Sequence, residues 1–199
     1  MPSIWCALRT FAAHAKEMGG EPLASPRFFL KPWAALAQPP MGCEMILPPH
    51  LEEVHHEVEL VLRLGEDATL TEIAVGLDLT DRETQDEAKA EGMPWSQSKG
   101  FANSAIVGNF VEPPVGLTHL RLELAVNGEP RQEASISQMS FTPLDLLSSL
   151  SHWAPLEKGD LLFCGPPSGI GPLVRGDHVQ ARLLREDGTI ISELNLMLA

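Results

Sequence analysis

A chain of 199 residues with 14 Lys and Arg against 27 Asp and Glu carries a formal net charge of −13. That length fits one compact domain, and the acidity argues against nucleic acid or an anionic membrane as partner, since both need a basic face. Apolar residues make up 44% of the chain, enough for a core, while 16 glycines and 17 prolines predict a turn-rich, strand-rich domain. Cys6, Cys43 and Cys164 are odd in number and far apart, with no C-x-x-C pair, so neither a disulfide framework nor a zinc knuckle is supported. No apolar run approaches the ~20 residues that span a bilayer, and the first residues lack the charged-then-apolar build of a signal peptide. The expectation is a soluble protein of a reducing cytoplasm.

Residues 11–18 predict a short helix, stopped by Gly19-Gly20. Pro22, Pro26 and Pro32 then keep the chain irregular or extended through Arg27, Phe28, Phe29 and Leu30. Residues 54–64 predict a strand, and residues 73–79 a second, fully buried one. Thr80-Asp81-Arg82-Glu83 has capping-box spacing and predicts a helix from about Asp81 that ends at Gly92. A turn at Pro94 precedes mixed loop and strand over residues 101–110. Residues 120–126 alternate, and Asn127-Gly128 is the strongest hairpin signal in the chain. Pro143 opens a helix over residues 144–150, and residues 161–163, 179–184 and 190–198 predict late strands. The expected class is α+β, mainly β: one domain over residues 1–199, with two or three short helices.

The chemistry starts at His55-His56-Glu57-Val58-Glu59-Leu60-Val61-Leu62. With a period of two, Val58, Leu60, Leu62 and Leu64 face the core, and Glu57 and Glu59 share the other face. Two such carboxylates repel unless a cation sits between them, and oxygen ligands suit Mg²⁺, Mn²⁺ or Ca²⁺; a solvated acidic face is the alternative. Asp78 stands in the apolar run Ile73-Ala74-Val75-Gly76-Leu77-Asp78-Leu79, where a buried carboxylate needs a partner or a metal. Its small same-face neighbours Ala74, Gly76 and Thr80 suggest room for a ligand, although an Asp closing a strand before a helix is also plausible. Arg82, Gln85 and Lys89 share one face of the next helix, and Arg82 and Gln85 in its first turn can reach a ligand at Asp78.

Lys99 follows beside aromatic and small residues, a setting that also suits a snorkelling surface lysine. His14 and Glu17 are three apart on the first helix, so they form either an oriented general base or a surface pair. His55-His56 beside Glu57 hints at zinc, ranked below magnesium because carboxylates dominate. The run from Gly165 to Gly171 is no phosphate loop; it either brings backbone close to a ligand or merely turns between strands.

Taken in order, His14-x-x-Glu17, Phe29-Leu30-Lys31-Pro32, His56-Glu57-Val58-Glu59-Leu60, Leu77-Asp78-Leu79-Thr80, Arg82, Gln85-Asp86, Pro94-Trp95, Lys99-Gly100-Phe101, Val126-Asn127-Gly128, Gly159-Asp160-Leu161 and Gly169-Ile170-Gly171-Pro172-Leu173 resemble the catalytic domain of the fumarylacetoacetate hydrolase family. The nearest branch is that of short acylpyruvases, oxaloacetate decarboxylases and dienedioate isomerases. This resemblance implies a β-sandwich roll with a few short helices around a divalent metal, in a homodimer. It implies Glu57, Glu59 and Asp78 as ligands to Mg²⁺, Lys99 as active-site lysine, and Arg82 and Gln85 as substrate-side groups. His14 and Glu17 match a dyad on a mobile lid, here residues 10–25. The implied activity is C–C cleavage of a small anionic 2-oxo or β-diketo acid through an enolate. Isomerisation or hydration of a dienoic 2-oxo acid, or metal binding with little turnover, are the alternatives.

The chain departs from the family pattern twice. Leu8-Arg9-Thr10-Phe11 stands for the usual Gly-Arg-Asn-Tyr, and Cys164-Gly165-Pro166-Pro167 for Thr-Gly-Thr-Pro. The second change removes a hydroxyl and a backbone N–H, both donors that a substrate could use.

Overall fold

The alternating Leu122, Leu124 and Val126 form the inner face of strand Arg121–Val126 in the computed structural model, which describes residues 1–51 and 53–199. Asn127 and Gly128 both take positive φ, 53° and 82°, the turn geometry whose twist matches paired strands, and the chain returns as Glu129–Ser135. His178–Leu184, Ile190–Leu198 and Cys43–Met45 extend this pair into a five-stranded sheet. Its last pairing is parallel and the others antiparallel.

A seven-stranded sheet packs against it, in the order Phe28–Lys31, Ile4–Ala7, Leu161–Phe163, Val58–Leu64, Leu70–Asp78, Ala105–Val107, Leu36–Ala37. Val58, Leu60, Leu62, Val75 and Leu77 meet Leu122, Leu124, Ala181, Leu183, Leu194 and Leu196 in one core between the sheets. Burying each large apolar side chain there is worth about 1.5–3 kcal/mol. A one-residue slip of Val58–Leu64 would expel Leu60 and Leu62 and drive Glu59 into that core, so packing fixes the direction in which Glu59 points.

Three expectations from the sequence need correction. The strand expected over residues 54–64 is two strands: Glu53–His56 pairs with Gly171–Val174 in a small separate sheet, Val58–Leu64 joins the large one, and the chain changes sheets at Glu57. The Val58 N–H then goes to the Gln132 side chain instead of a neighbouring strand. Among the described residues there are four α-helices, Ala12–Glu17, Arg82–Glu91, Ser96–Lys99 and Pro143–Ser151; the single turn Ser96–Lys99 is too short to carry a helical period. The N-cap of Arg82–Glu91 is Asp81, whose side chain accepts from Thr84 N at 3.2 Å, because Thr80 is engaged in a bridge to His55. Among the described residues, no helix is long and apolar enough to cross a membrane.

Candidate active site

The sheet change at Glu57 sets its carboxylate beside those of Glu59, on Val58–Leu64, and Asp78, at the end of the neighbouring strand Leu70–Asp78. One oxygen of each lies within 4.8 Å of the others, and all three residues are buried. Gln132 holds the corner. Its Oε1 accepts from His56 Nδ1 at 2.9 Å and from Val58 N at 3.0 Å, and its Nε2 donates to the Pro167 carbonyl at 2.9 Å. The sequence reading missed Gln132; its signal is an amide on the inward stripe of Glu129–Ser135, shared with Ala134.

Three cations face the three carboxylates. Lys99 Nζ lies 2.7 Å from both Glu57 Oε2 and Asp78 Oδ2, and Arg82 Nη2 lies 2.5 Å from Glu57 Oε1. Lys99 is 2% exposed, so it is a buried partner and not a snorkelling surface residue. Lys31, which the sequence reading named only within the Phe29-Leu30-Lys31-Pro32 motif and gave no role, is buried with Nζ 2.6 Å from Asp78 Oδ1. It donates to the Leu79 and Ser104 carbonyls at 3.1 and 2.8 Å, so its contact with Oδ1 is an ion pair without an aligned hydrogen bond.

Burial would raise the Glu57 carboxyl, but Lys99 and Arg82 outweigh it and bring the pKa to about 2. Burial, then the Asp78 and Glu57 charges, push Glu59 well above the carboxylate range against the opposing pull of Lys99 and the Gly165 N–H. Burial would lower Lys99, yet Asp78 and Glu57 raise it above its ordinary value. Burial and the Lys99 charge lower Lys31, against the pull of Asp78.

This donor set fits a hard divalent cation. It is all oxygen, Asp78 Oδ1 is a buried oxygen with no aligned donor, and the single hydrogen bond to Glu59 among the described residues is the Gly165 N–H at 2.6 Å. The histidine pair serves otherwise, which corrects the zinc hint: His55 Nδ1 accepts from Arg82 Nε at 3.4 Å, and His56 is held by Gln132. Gly76 likewise makes no room for a ligand. A Cβ there would meet Val61 and Phe163 at 2.5 and 2.9 Å, so the small residues of this strand accommodate core packing.

Helix Ala12–Glu17 brings the dyad over the cluster. His14 Nδ1 lies 3.1 Å from Glu17 Oε2; a carboxylate only accepts, so Nδ1 donates, and in the neutral imidazole this leaves the lone pair on Nε2. Glu17 Oε1 accepts from Gly169 N at 2.9 Å. The run from Gly165 to Gly171 therefore does bring backbone to the site, one N–H to Glu59 and one to Glu17. Gly165, at φ 90°, is required because a Cβ would collide with Thr10, whose Oγ1 donates to the Cys164 carbonyl at 2.7 Å. His14, the three carboxylates, Arg82, Gln85 and Lys99 line one cavity of about 50 Å³. Gln85 accepts from Arg82 Nη1 at 2.5 Å. Arg9, also missed, lines the cavity from a left-handed backbone at φ 49° and has no hydrogen-bond or ion-pair partner among the described residues.

Residues 3–195 match the family described as fumarylacetoacetate (FAA) hydrolase C-terminal. The mouse mitochondrial oxaloacetate tautomerase FAHD1 is 38% identical over 200 residues, covering 94% of this chain and 88% of that protein. The human protein of the same name is 37% identical over 191 residues, covering 90% and 86%. Fumarylpyruvate hydrolase from Pseudomonas aeruginosa, solved in complex with Mn²⁺ and pyruvate, superposes with a TM-score of 0.87 at 32% identity, covering 100% of this chain and 91% of that one. With an all-oxygen acidic cluster at the centre of a matching mainly β fold, the chain is an enzyme of the fumarylacetoacetate hydrolase family.

Proposed function

We propose that the enzyme is a divalent-metal-dependent hydrolase or lyase that cleaves a C–C bond in a small 2-oxo or β-diketo acid of the acylpyruvate or oxaloacetate type. The observation that carries this reading is the convergence of the carboxylate triad and the His14–Glu17 dyad on one cavity. Glu57, Glu59 and Asp78 would hold Mg²⁺, with Mn²⁺ or Ca²⁺ as substitutes. Bound there, the cation supplies Lewis-acid polarisation of a 2-oxo acid's oxygens. The pyruvate and Mn²⁺ held by the Pseudomonas relative support both assignments.

His14 accepts a proton at Nε2 from the attacking water, and Glu17 steadies the resulting imidazolium through Nδ1. Lys99, charged between Glu57 and Asp78, adds a fixed positive centre beside the reacting oxygens. Arg82 and Gln85 orient the substrate carboxylate from the first turn of their helix. Residues 10–25 act as a lid that carries the dyad, and the enzyme works as a cytoplasmic homodimer. A second reading, oxaloacetate tautomerisation, is favoured by the 38% identity to the mouse tautomerase and uses the same base to move a proton at carbon. A screen of the pure protein with Mg²⁺ against acylpyruvates, oxaloacetate and dienedioates separates these readings. Binding of oxalate without turnover of any of them would reject catalysis in favour of a binding protein.

A further inference from the structure

A second, uncharged space adjoins the charged cavity. An open cleft of about 380 Å³ is lined by Leu8, Phe29, Leu30, Met93, Pro94 and Trp95, with Ser96 as its single polar side chain. Leu8, Phe29 and Trp95 line both spaces, so the two adjoin along these side chains. Phe29 joins them physically. Its ring lies 5.3 Å from Lys99 Nζ on the charged side and packs edge-on against Trp95, 5.9 Å between centroids, on the other. Leu30 and Met93 are 50% and 57% exposed, which leaves a contiguous apolar wall in solvent unless something covers it. No charged side chain lines the cleft; Lys89, over the Trp95 ring, is paired with Asp86 at 2.9 Å.

A ligand that seats its oxo-carboxylate head among the charges of the small cavity can extend its longer end past Leu8 and Phe29, the side chains the two spaces share. A second carboxylate there would find no cation in the lining, whereas alkyl or aryl carbon would cover apolar surface. We propose that this cleft receives the distal end of the substrate, so that the preferred substrates are 2-oxo acids bearing a hydrophobic acyl or aryl tail, ahead of compact dicarboxylates. The proposal rests on the assignment of the charged cavity to a 2-oxo acid head.

Two series test it. With Mg²⁺, kcat/KM for straight-chain acylpyruvates from acetyl to hexanoyl should rise about twofold to fourfold per methylene, mainly through KM, and exceed that for oxaloacetate. Inert N-alkyl oxamates of the same lengths, titrated calorimetrically with Mg²⁺, should tighten in parallel, and Met93→Asp should flatten both series. Tail-dependent oxamate binding without turnover keeps the cleft and rejects the catalytic reading. Turnover and binding that ignore tail length in the wild type overturn the cleft. If in addition Met93→Asp makes an oligomeric wild type monomeric, the cleft belongs to a contact with a second copy of the chain.

Discussion

Gly169 donates its backbone N–H to Glu17 Oε1 at 2.9 Å, while the other Glu17 oxygen lies 3.1 Å from His14 Nδ1. The loop that holds Glu59 through Gly165 thus also holds Glu17, so the proposed acid–base pair and the candidate metal site are positioned by one stretch of backbone.

Gly169 sits at φ 96°, and a Cβ there would collide with the Arg131 carbonyl. Gly169→Ala should displace its N–H from Glu17 and lower kcat on the order of tenfold, with metal affinity unchanged. In the wild type, amide exchange over residues 10–25 should slow when oxalate and Mg²⁺ bind, and the variant should lose that protection. Equal exchange with and without ligand in the wild type would make helix Ala12–Glu17 a fixed element.

Glu59 gives the metal-free protein a pH dependence of definite sign. Its folded pKa lies above the unfolded value, taken as 4.5, so the folded state binds the proton more tightly. The stability this contributes is complete below the unfolded pKa and is lost as pH rises through the folded one. Glu57, lowered to about 2, acts oppositely and only at the acid end, where its contribution falls away below 4.5. The metal-free melting temperature should therefore decline as pH rises above 4.5 toward the raised folded pKa of Glu59, and Glu59→Gln should flatten that decline. Metal affinity should rise over the same range, since a cation displaces the proton; calorimetry in buffers of different ionisation enthalpy reads the released proton.

Lys99 pairs with two carboxylates at once, so Lys99→Met should destabilise the metal-free protein by about 3–5 kcal/mol, the cost of stranding buried charge. Added Mg²⁺ should restore more stability to this variant than to the wild type, because the cation replaces the missing charge. Thermal melts with and without Mg²⁺ check this, and an equal metal-induced shift in both proteins would contradict it.

Much of this site can be read along the chain because its parts are local. Glu57 and Glu59 follow from a strand period, Asp78 from one acid in an apolar run, and Arg82 and Gln85 from a helix turn after a capping signal. The rest depends on which strands become neighbours. Lys31 reaches Asp78 only because Phe28–Lys31 is folded onto the large sheet, and Gln132 reaches His56 only because the second sheet packs at the corner. Gly76 misled for the same reason: the space it leaves is taken by Phe163, from a strand far along the sequence. The break at Glu57 was hidden because each half-strand keeps the period and only the partners change.

Pro166 lines the cavity where the family pattern places threonine, and it offers neither hydroxyl nor N–H. Pro166→Thr should raise turnover of acetylpyruvate or oxaloacetate by about fivefold to a hundredfold, the worth of one recovered donor, without altering metal affinity. A fast wild type that the substitution slows would show that the loop positions substrate by another route.

The carboxylate triad is the centre of the account, and titration of Mn²⁺ into chelator-treated protein tests it most directly. The expected result is one ion bound per chain, with binding abolished or weakened by on the order of a hundredfold in Glu57→Gln and Asp78→Asn variants that still fold. Binding of equal strength in those variants, or none in the wild type, would contradict it.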